Sequence, residues 1–427
     1  MTIPAMPHIL VALCSMLYAH CRLSDSMPSA KRILLLVTQA DWGGVQSFLI
    51  RFAAELRKEG HEVLLAAGGE GGLWAEAERR GIRTNRLKHV RRDIHLLEDW
   101  RAIEELKQLI RSFRPDAIHL NSSKMGVLGS IAARNFRLST FDFRPRIVYR
   151  IGGWSFLEPL PAWKRWLYLW AERWTAQYKD VIVTVHPGDE ELAKKLSIRP
   201  RERVRTVPNG LDILMFVSGL KTRAVARATL HVSDSAFVFG TVANAYPTKA
   251  LLPYLDVLKH VLGKDRNTMA VIIGDGQEFD ALKRKRDALG LTARVILTGQ
   301  RADAPTLFPA FDIFVLPSRK EGMPWTLLEA MAAGLPTIAA DVGACRWMLS
   351  DPAHGDAGVV IPSGDILALR GAMNELKNDL AQRGRFGMAA RQIVTDRFSW
   401  EETYRGNRDA LCGRPDGSLL PPPRPAS

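Results

Sequence analysis

Short runs of aliphatic and β-branched residues alternate with amphipathic stretches from residue 31 almost to the carboxyl end, and this leaves few folds open. Successive parallel strands need a crossover of about a dozen residues or more, which a helix supplies. Ile33–Val37 reads as a buried strand, and Val45–Glu59 as a helix with Phe48, Leu49, Phe52, Ala53 and Leu56 on one face. A strand at His61–Ala67 follows, then helices at Leu73–Arg80 and, beyond a charged stretch, Asp99–Phe113. Next come a strand at Asp116–Leu120, a helix at Met125–Asn135, and strands at Ile147–Arg150 and Val181–Val185. The scheme then repeats. Phe237–Val242, Ala270–Ile273, Arg294–Thr298, Ile313–Leu316, Thr337–Ala340 and Val359–Ile361 read as strands. Helices fall at Leu251–Leu262, Gln277–Leu289, Pro324–Ala333 and Ile366–Leu376. The pattern predicts two doubly wound α/β domains, each a parallel sheet covered on both faces.

A chain of 427 residues exceeds what one core supports, in keeping with two domains. Pro208-Asn209-Gly210 marks a turn inside Thr206–Asp212, which reads as the interdomain linker. The expected division is an extension at 1–28, a first domain at 29–207, a second at 208–397, a closing helix at 398–412 and a Pro-rich tail at 413–427. The tail's composition predicts no packed structure. Ile9–Ala19 is apolar, but no Lys or Arg precedes it and it is too short to span a bilayer. The working chain is read as beginning at Met27, just before Lys31-Arg32-Ile33, with a poor signal peptide as the alternative. No later segment reaches the roughly 18 uncharged apolar residues of a membrane span.

The net charge is +14, and most of the excess lies between residues 29 and 208. A basic first domain suits an anionic membrane surface, a phosphate-bearing acceptor or a nucleic acid, and equally a solvated face without a partner. No recognition motif accompanies the excess, which sets nucleic acid aside. The four cysteines, Cys14, Cys21, Cys345 and Cys412, have neither metal-ligand nor redox spacing, so a reducing cytoplasm is the simpler setting.

The most informative stretch runs Leu316-Pro317-Ser318-Arg319-Lys320-Glu321-Gly322-Met323-Pro324-Trp325 and on through Leu328-Glu329-Ala330-Met331 to Gly334. A strand ends at Leu316, a loop carries Glu321-Gly322, and a helix opens at Pro324, a favoured first helical residue. The free N–H groups of a helix opening form an anion site suited to a diphosphate. Glu321 and Glu329 place one carboxylate ahead of that opening and one about a turn and a half inside it. A carboxylate accepts two strong hydrogen bonds from a diol, which suits a nucleotide sugar.

Here the chain resembles the retaining GT-B glycosyltransferases of family 4, whose mark is two Glu separated by seven residues in this context. The resemblance implies that Glu321 contacts the donor sugar and Glu329 the ribose, with Arg319, Lys320, Gly322, Met323, Pro324 and Leu328 along the donor. Gly43-Gly44 is similar to the family's Gly-Gly loop, and Val207–Asp212 to its interdomain sequence. Gly274-Asp275-Gly276 is similar to its second-domain turn. Phe398-Ser399-Trp400-Glu401 is similar to its closing helix, which crosses back onto the first domain. Lys249 matches the lysine that grips the diphosphate, but Asn244 stands at the expected arginine. One lost charge-assisted contact costs about 1.5–3 kcal/mol unless Arg319 or Lys320 substitutes. A second departure is Gly152, where many relatives carry a His.

The resemblance further implies transfer of a hexose-type sugar with retention, by front-face attack with the leaving phosphate as base. The co-substrate is a nucleotide-diphosphate sugar, and no metal or other cofactor is implied. The resemblance implies a glycan or lipid-linked acceptor, and the expected location is the cytoplasm, with the inner face of the cell membrane as the alternative. Two rivals share the fold: a non-catalytic nucleotide-sugar-binding protein, favoured by Asn244 and Gly152, and a nucleotide-sugar 2-epimerase. Trp163, Trp166, Trp170 and Trp174 share one helix face, flanked by Lys164, Arg165 and Arg173. Packing against the sheet explains this spacing. So does a helix lying on a membrane surface, with Trp154, Trp163 and Trp166 against lipid or acceptor.

Overall fold

The computed structural model describes residues 30–138, 143–263 and 265–413, and places the first strand, β1 (Arg32–Gln39), inside a seven-stranded sheet. The elements that follow are α1 (Gly44–Lys58), β2 (Glu62–Gly68), α2 (Gly72–Arg79), β3 (Arg83–Leu87) and α3 (Leu96–Phe113). Then come β4 (Ala117–Asn121), α4 (Ser123–Leu138), β5 (Arg146–Arg150), α5 (Ala162–Ala176), β6 (Val181–Thr184), α6 (Pro187–Lys195) and β7 (Arg203–Thr206). The order β3-β2-β1-β4-β5-β6-β7 is parallel throughout. Ile33, Leu35 and Val37 of β1 enter one core and Leu34 and Leu36 the other, so the strand is buried on both faces.

The second domain opens with α7 (Ile213–Ser218) and α8 (Arg223–Thr229), followed by β8 (Phe237–Val242), α9 (Leu251–Leu262), β9 (Thr268–Ile273), α10 (Phe279–Ala288) and β10 (Val295–Leu297). It continues through β11 (Ile313–Leu316), α11 (Trp325–Ala332), β12 (Thr337–Ala340), α12 (Cys345–Leu349) and a small hairpin of β13 (Ser350–Asp351) with β14 (Gly355–Asp356). It closes with β15 (Gly358–Ile361), α13 (Ile366–Asn378) and α14 (Leu380–Arg397). Its parallel sheet runs β10-β9-β8-β11-β12-β15.

The last helix, α15 (Trp400–Cys412), returns to the first domain. Ser399 caps it by accepting the Glu402 N–H (3.2 Å). Trp400, Ala410 and Leu411 join the core on the α1 side of the first sheet. Linker and crossover run side by side: Leu211 N–H donates to the Phe398 carbonyl (2.9 Å) and Trp400 N–H to the Leu211 carbonyl (3.0 Å). Gly210 permits this approach, since a Cβ there would lie 2.1 Å from the Ser399 carbonyl oxygen. Asn407 of α15 lies beside His119, whose pKa burial lowers to about 3, so the ring sits neutral in the core.

Several elements escaped the sequence reading. The edge strands β3 and β7 read Arg-Thr-Asn-Arg-Leu and Arg-Val-Arg-Thr; an edge strand has too few buried positions to show an apolar period. Helix α3 starts at Leu96, before the expected Asp99, because His95 caps it through its ring and because Leu96 and Leu97 face solvent. In α14, Gly384 and Gly387 blur the apolar pattern.

The expectation that the tryptophan stripe packs against the sheet is corrected. Helix α5 buries Glu172, Thr175 and Ala176 instead, with Glu172 accepting from the Tyr149 hydroxyl (2.9 Å) and from Lys179 Nζ (3.3 Å). Trp163, Trp166 and Trp170 are therefore turned outward, 64%, 65% and 49% exposed. The Met27 start and most of the segments expected at 1–28 and 413–427 lie outside the described residues.

Candidate active site between the two domains

Every residue of β11 is buried, and its end at Leu316 launches the loop that carries Glu321. Beside it, β8 ends at Val242 and leads to a 3₁₀ turn, Pro247–Lys249. The turn is closed by Ala250 in the left-handed region (φ 54), a conformation costing about 1–3 kcal/mol in a residue with a Cβ. Arg319 N–H donates to the Thr248 carbonyl (2.7 Å), tying the two loops together. The result is a short ion pair: Lys249 Nζ donates to Glu321 Oε1 at 2.6 Å, with the side chains only 24% and 8% exposed. One of the three ammonium N–H groups is thus spent on Glu321, and the other two have no hydrogen-bond partner among the described residues.

Helix α11 opens one residue later than expected. Pro324 is its N-cap in an extended conformation (φ −71°, ψ 123°), and no side chain caps the first turn. Gly43, the N-cap of α1, likewise supplies no side-chain cap. The two openings meet, because a Cβ on Gly44 would lie 2.1 Å from Cδ1 of Trp325. Two helix N-termini without side-chain caps, one from each domain, thus meet at Trp325, four residues beyond Glu321, a setting that favours an anion.

The first-domain loop after β5 closes the other side. A Cβ on Gly322 would lie 1.7 Å from the Gly152 carbonyl oxygen, so only glycine fits where the two lobes touch. Gly322→Ala is expected to push the lobes apart and lower turnover about 100-fold, since an ångström of misplacement is worth that much. Steady-state turnover beside a melting curve checks it; a folded variant at full rate contradicts the contact.

Sequence reasoning missed one part of this floor. The linker residue Asn209 donates through Nδ2 to the Met323 carbonyl (2.8 Å), and its N–H reaches Met323 Sδ (3.2 Å). Its side-chain oxygen accepts from Arg150, whose guanidinium lies 4.0 Å from the Phe48 ring centroid. Burial lowers the Arg150 pKa to about 9. An arginine ending an otherwise apolar strand was the available signal.

The remaining expected site residues are placed as follows. Asn244 and Ala245 lie against the Gly274-Asp275-Gly276 turn, with Ala245 N–H donating to the Asp275 carbonyl (2.9 Å) and the Asp275 carboxylate accepting Gly276 N–H (2.7 Å). Arg319 has an exposed side chain lining a hollow with Tyr254, Pro317 and Asp365. Three expectations are corrected. Lys320 does not stand in for the missing arginine; its Nζ is paired with Glu158 of the first domain (2.7 Å). The Leu328 and Met323 side chains belong to the core, 0% and 4% exposed. Trp154 is fully buried and donates to the Asp189 carbonyl (3.1 Å), so it meets neither lipid nor acceptor.

Glu329, inside α11, is desolvated by the protein around it, which pushes its pKa from 4.5 up to about 8. Between those values the folded chain holds a proton that the unfolded chain has released, so stability falls as pH rises. Glu329→Gln is expected to flatten the decline of melting temperature between about pH 5 and 8. Parallel profiles for the two proteins would remove this account of Glu329. Beneath the site, burial and then the Glu321 charge push the Cys345 thiol up, leaving it an inert wall.

With this geometry, comparisons with known proteins converge. Residues 223–393 match the family of glycosyl transferases group 1, and residues 43–210 match the glycosyl transferase 4-like domain. The chain is 30% identical over 268 residues to the UDP-Gal:alpha-D-GlcNAc-diphosphoundecaprenol alpha-1,3-galactosyltransferase of Escherichia coli, covering 62% of this chain and 67% of that protein. It is 28% identical over 387 residues to the GDP-mannose-dependent alpha-mannosyltransferase of Mycolicibacterium smegmatis, covering 87% and 94%. HepE of Anabaena, solved in complex with UDP and glucose, has the same fold, with a TM-score of 0.73 at 22% identity over 89% of this chain and 98% of that one.

Proposed function

This chain belongs to family 4 of the GT-B glycosyltransferases, and from that premise we propose that it moves a hexose-type sugar, with retention, from a nucleotide-diphosphate sugar to a glycan or lipid-linked acceptor in cell-surface polysaccharide synthesis. The observation that carries this reading is the 2.6 Å pair of Lys249 and Glu321 beside the uncapped opening of α11. In the reaction, the bond from the anomeric carbon to the diphosphate oxygen breaks and a bond to the acceptor oxygen forms on the same face. The acceptor's proton passes to the departing phosphate oxygen. Negative charge therefore accumulates on the diphosphate, where preorganised donors lower the barrier most. Lys249 and the α11 opening, rather than a metal ion, meet that charge on this reading. Glu321 orients both the sugar hydroxyls and the lysine. Glu329, ionised on meeting a diol, takes the ribose. The relatives' printed donors, UDP-galactose and GDP-mannose, support the donor class and leave the base open.

Asn244, in place of a second cation, is the observation that favours a binding protein without catalysis. A coupled assay of nucleoside diphosphate release from UDP-, GDP- and ADP-sugars separates the two readings. Release that depends on Glu321 supports transfer; binding with no release from any donor overturns the enzyme reading.

A further inference from the structure

We propose that the first domain docks on an anionic lipid bilayer through the aromatic face of α5 and the loop opening α3, and draws a lipid-held acceptor from that surface into the cleft. This deepens the transferase reading and rests on it for the acceptor. The face is built from two segments: Trp163 and Trp166 of α5, 64% and 65% exposed, and Leu96, Leu97 and Trp100 of α3, 85%, 58% and 62% exposed. Monomeric proteins rarely leave large apolar groups together in water without a use for them. The two segments share a support: α3 and α5 both pack against α4, and Lys124 at the start of α4 donates to the Asp93 carbonyl in the loop that opens α3.

Charge selects the occupant. Arg91 and Arg92 precede α3, and Lys164 and Arg165 lie among the tryptophans, on a chain of net charge +14. Of the acids around this face, Glu158 is paired with Lys320 (2.7 Å), Glu98 with Arg101 (2.7 Å) and Asp99 with Lys124 (2.6 Å), which leaves Asp93 as the exposed acid beside these cations. Aromatic rings beside exposed cations match a headgroup boundary, where rings enter the acyl edge and cations meet phosphates. A symmetric contact with a second copy would set these cations against their own kind. The face also reaches the cleft: the Arg92 guanidinium lies 4.4 Å from the Tyr246 ring centroid of the second domain, and Lys320 immediately precedes Glu321. A sugar acceptor on a lipid anchor thus needs no excursion into water to meet the ion pair.

Flotation of the full chain with equimolar phosphatidylglycerol–phosphatidylcholine vesicles, at low salt and without donor, tests the proposal. The chain is expected to float with these vesicles. A variant with Trp163→Ser and Trp166→Ser should float at least ten-fold less while melting at the same temperature. Should that variant misfold, Leu96→Ser with Leu97→Ser serves in its place. Failure of the parent to float, equal flotation of a folded variant, or equal flotation on pure phosphatidylcholine overturns the docking. A concentration-dependent dimer lost in the variant, with no flotation, overturns it in favour of self-association. Flotation reads no sugar transfer, so a chain that transfers without floating sinks the docking alone, and one that floats without transferring sinks only the enzyme reading.

Discussion

Glu321→Ala slows sugar transfer by on the order of 100- to 1,000-fold, with the chain still folded. The carboxylate does two things that alanine cannot. It receives the Lys249 ammonium at 2.6 Å and so fixes the cation's position before the donor arrives. On the proposed reading it would also accept hydrogen bonds from the hydroxyls of the bound sugar, ahead of the α11 opening. Both are matters of preorganisation, so the loss falls mainly on turnover, less on donor affinity. Glu321→Gln keeps the shape and one acceptor but not the charge, and its rate lies between. Steady-state kinetics checks the series, with a melting curve for each variant. Equal turnover in the alanine variant and the parent would dismiss Glu321 from the site.

Lys249→Met is the second large effect, and it falls on both stages. Asn244 occupies the position where the resemblance expects another cation, and Lys320 is engaged with Glu158, so on the proposed reading Lys249 would carry more of the diphosphate than a paired lysine. Losing a charge-assisted bond in the ground state costs about 1.5–3 kcal/mol, roughly ten- to 150-fold in donor affinity. The leaving charge grows along the reaction, so turnover falls by about a further 100-fold. The variant also strands the Glu321 carboxylate, 8% exposed, beside Cys345 without its partner. The two substitutions therefore act on one unit: the double variant should be little worse than the poorer single one. Fully additive losses would mean that the residues act separately.

What the sequence discloses follows from how local each feature is. β11 and β12 match their expected bounds because a central strand, buried on both faces, must be a continuous apolar run. The Glu321–Glu329 loop and helix are legible for a similar reason, since strand end, loop and helix opening are contiguous in the chain. Lys249 needed the resemblance; nothing in its surroundings says that it lies 2.6 Å from a residue 72 positions away. Arg150 and Asn209 were invisible as a pair, because β5 and the linker meet only once both sheets are in place. The tryptophan stripe shows the complementary limit. Helical periodicity groups side chains on a face but does not say which face the sheet takes, and α5 buries its polar side around Glu172. The polar network of Tyr149, Glu172 and Lys179 settles that choice, and its members come from separate elements.

The central claim is that the convergence of Lys249, Glu321 and the α11 opening is a nucleoside-diphosphate site. Ligand-dependent melting tests it directly, because a ligand that binds only the folded chain stabilises it by RT ln(1 + [L]/Kd). Melting curves of the parent and Lys249→Met are recorded with UDP, GDP and ADP over a range of concentrations. The account predicts that at least one of the three raises the parent's melting temperature with concentration, and that roughly ten- to 150-fold more of the same nucleotide is needed for an equal rise in the Lys249→Met variant. No rise with any nucleotide, or an equal rise in both proteins, would contradict it.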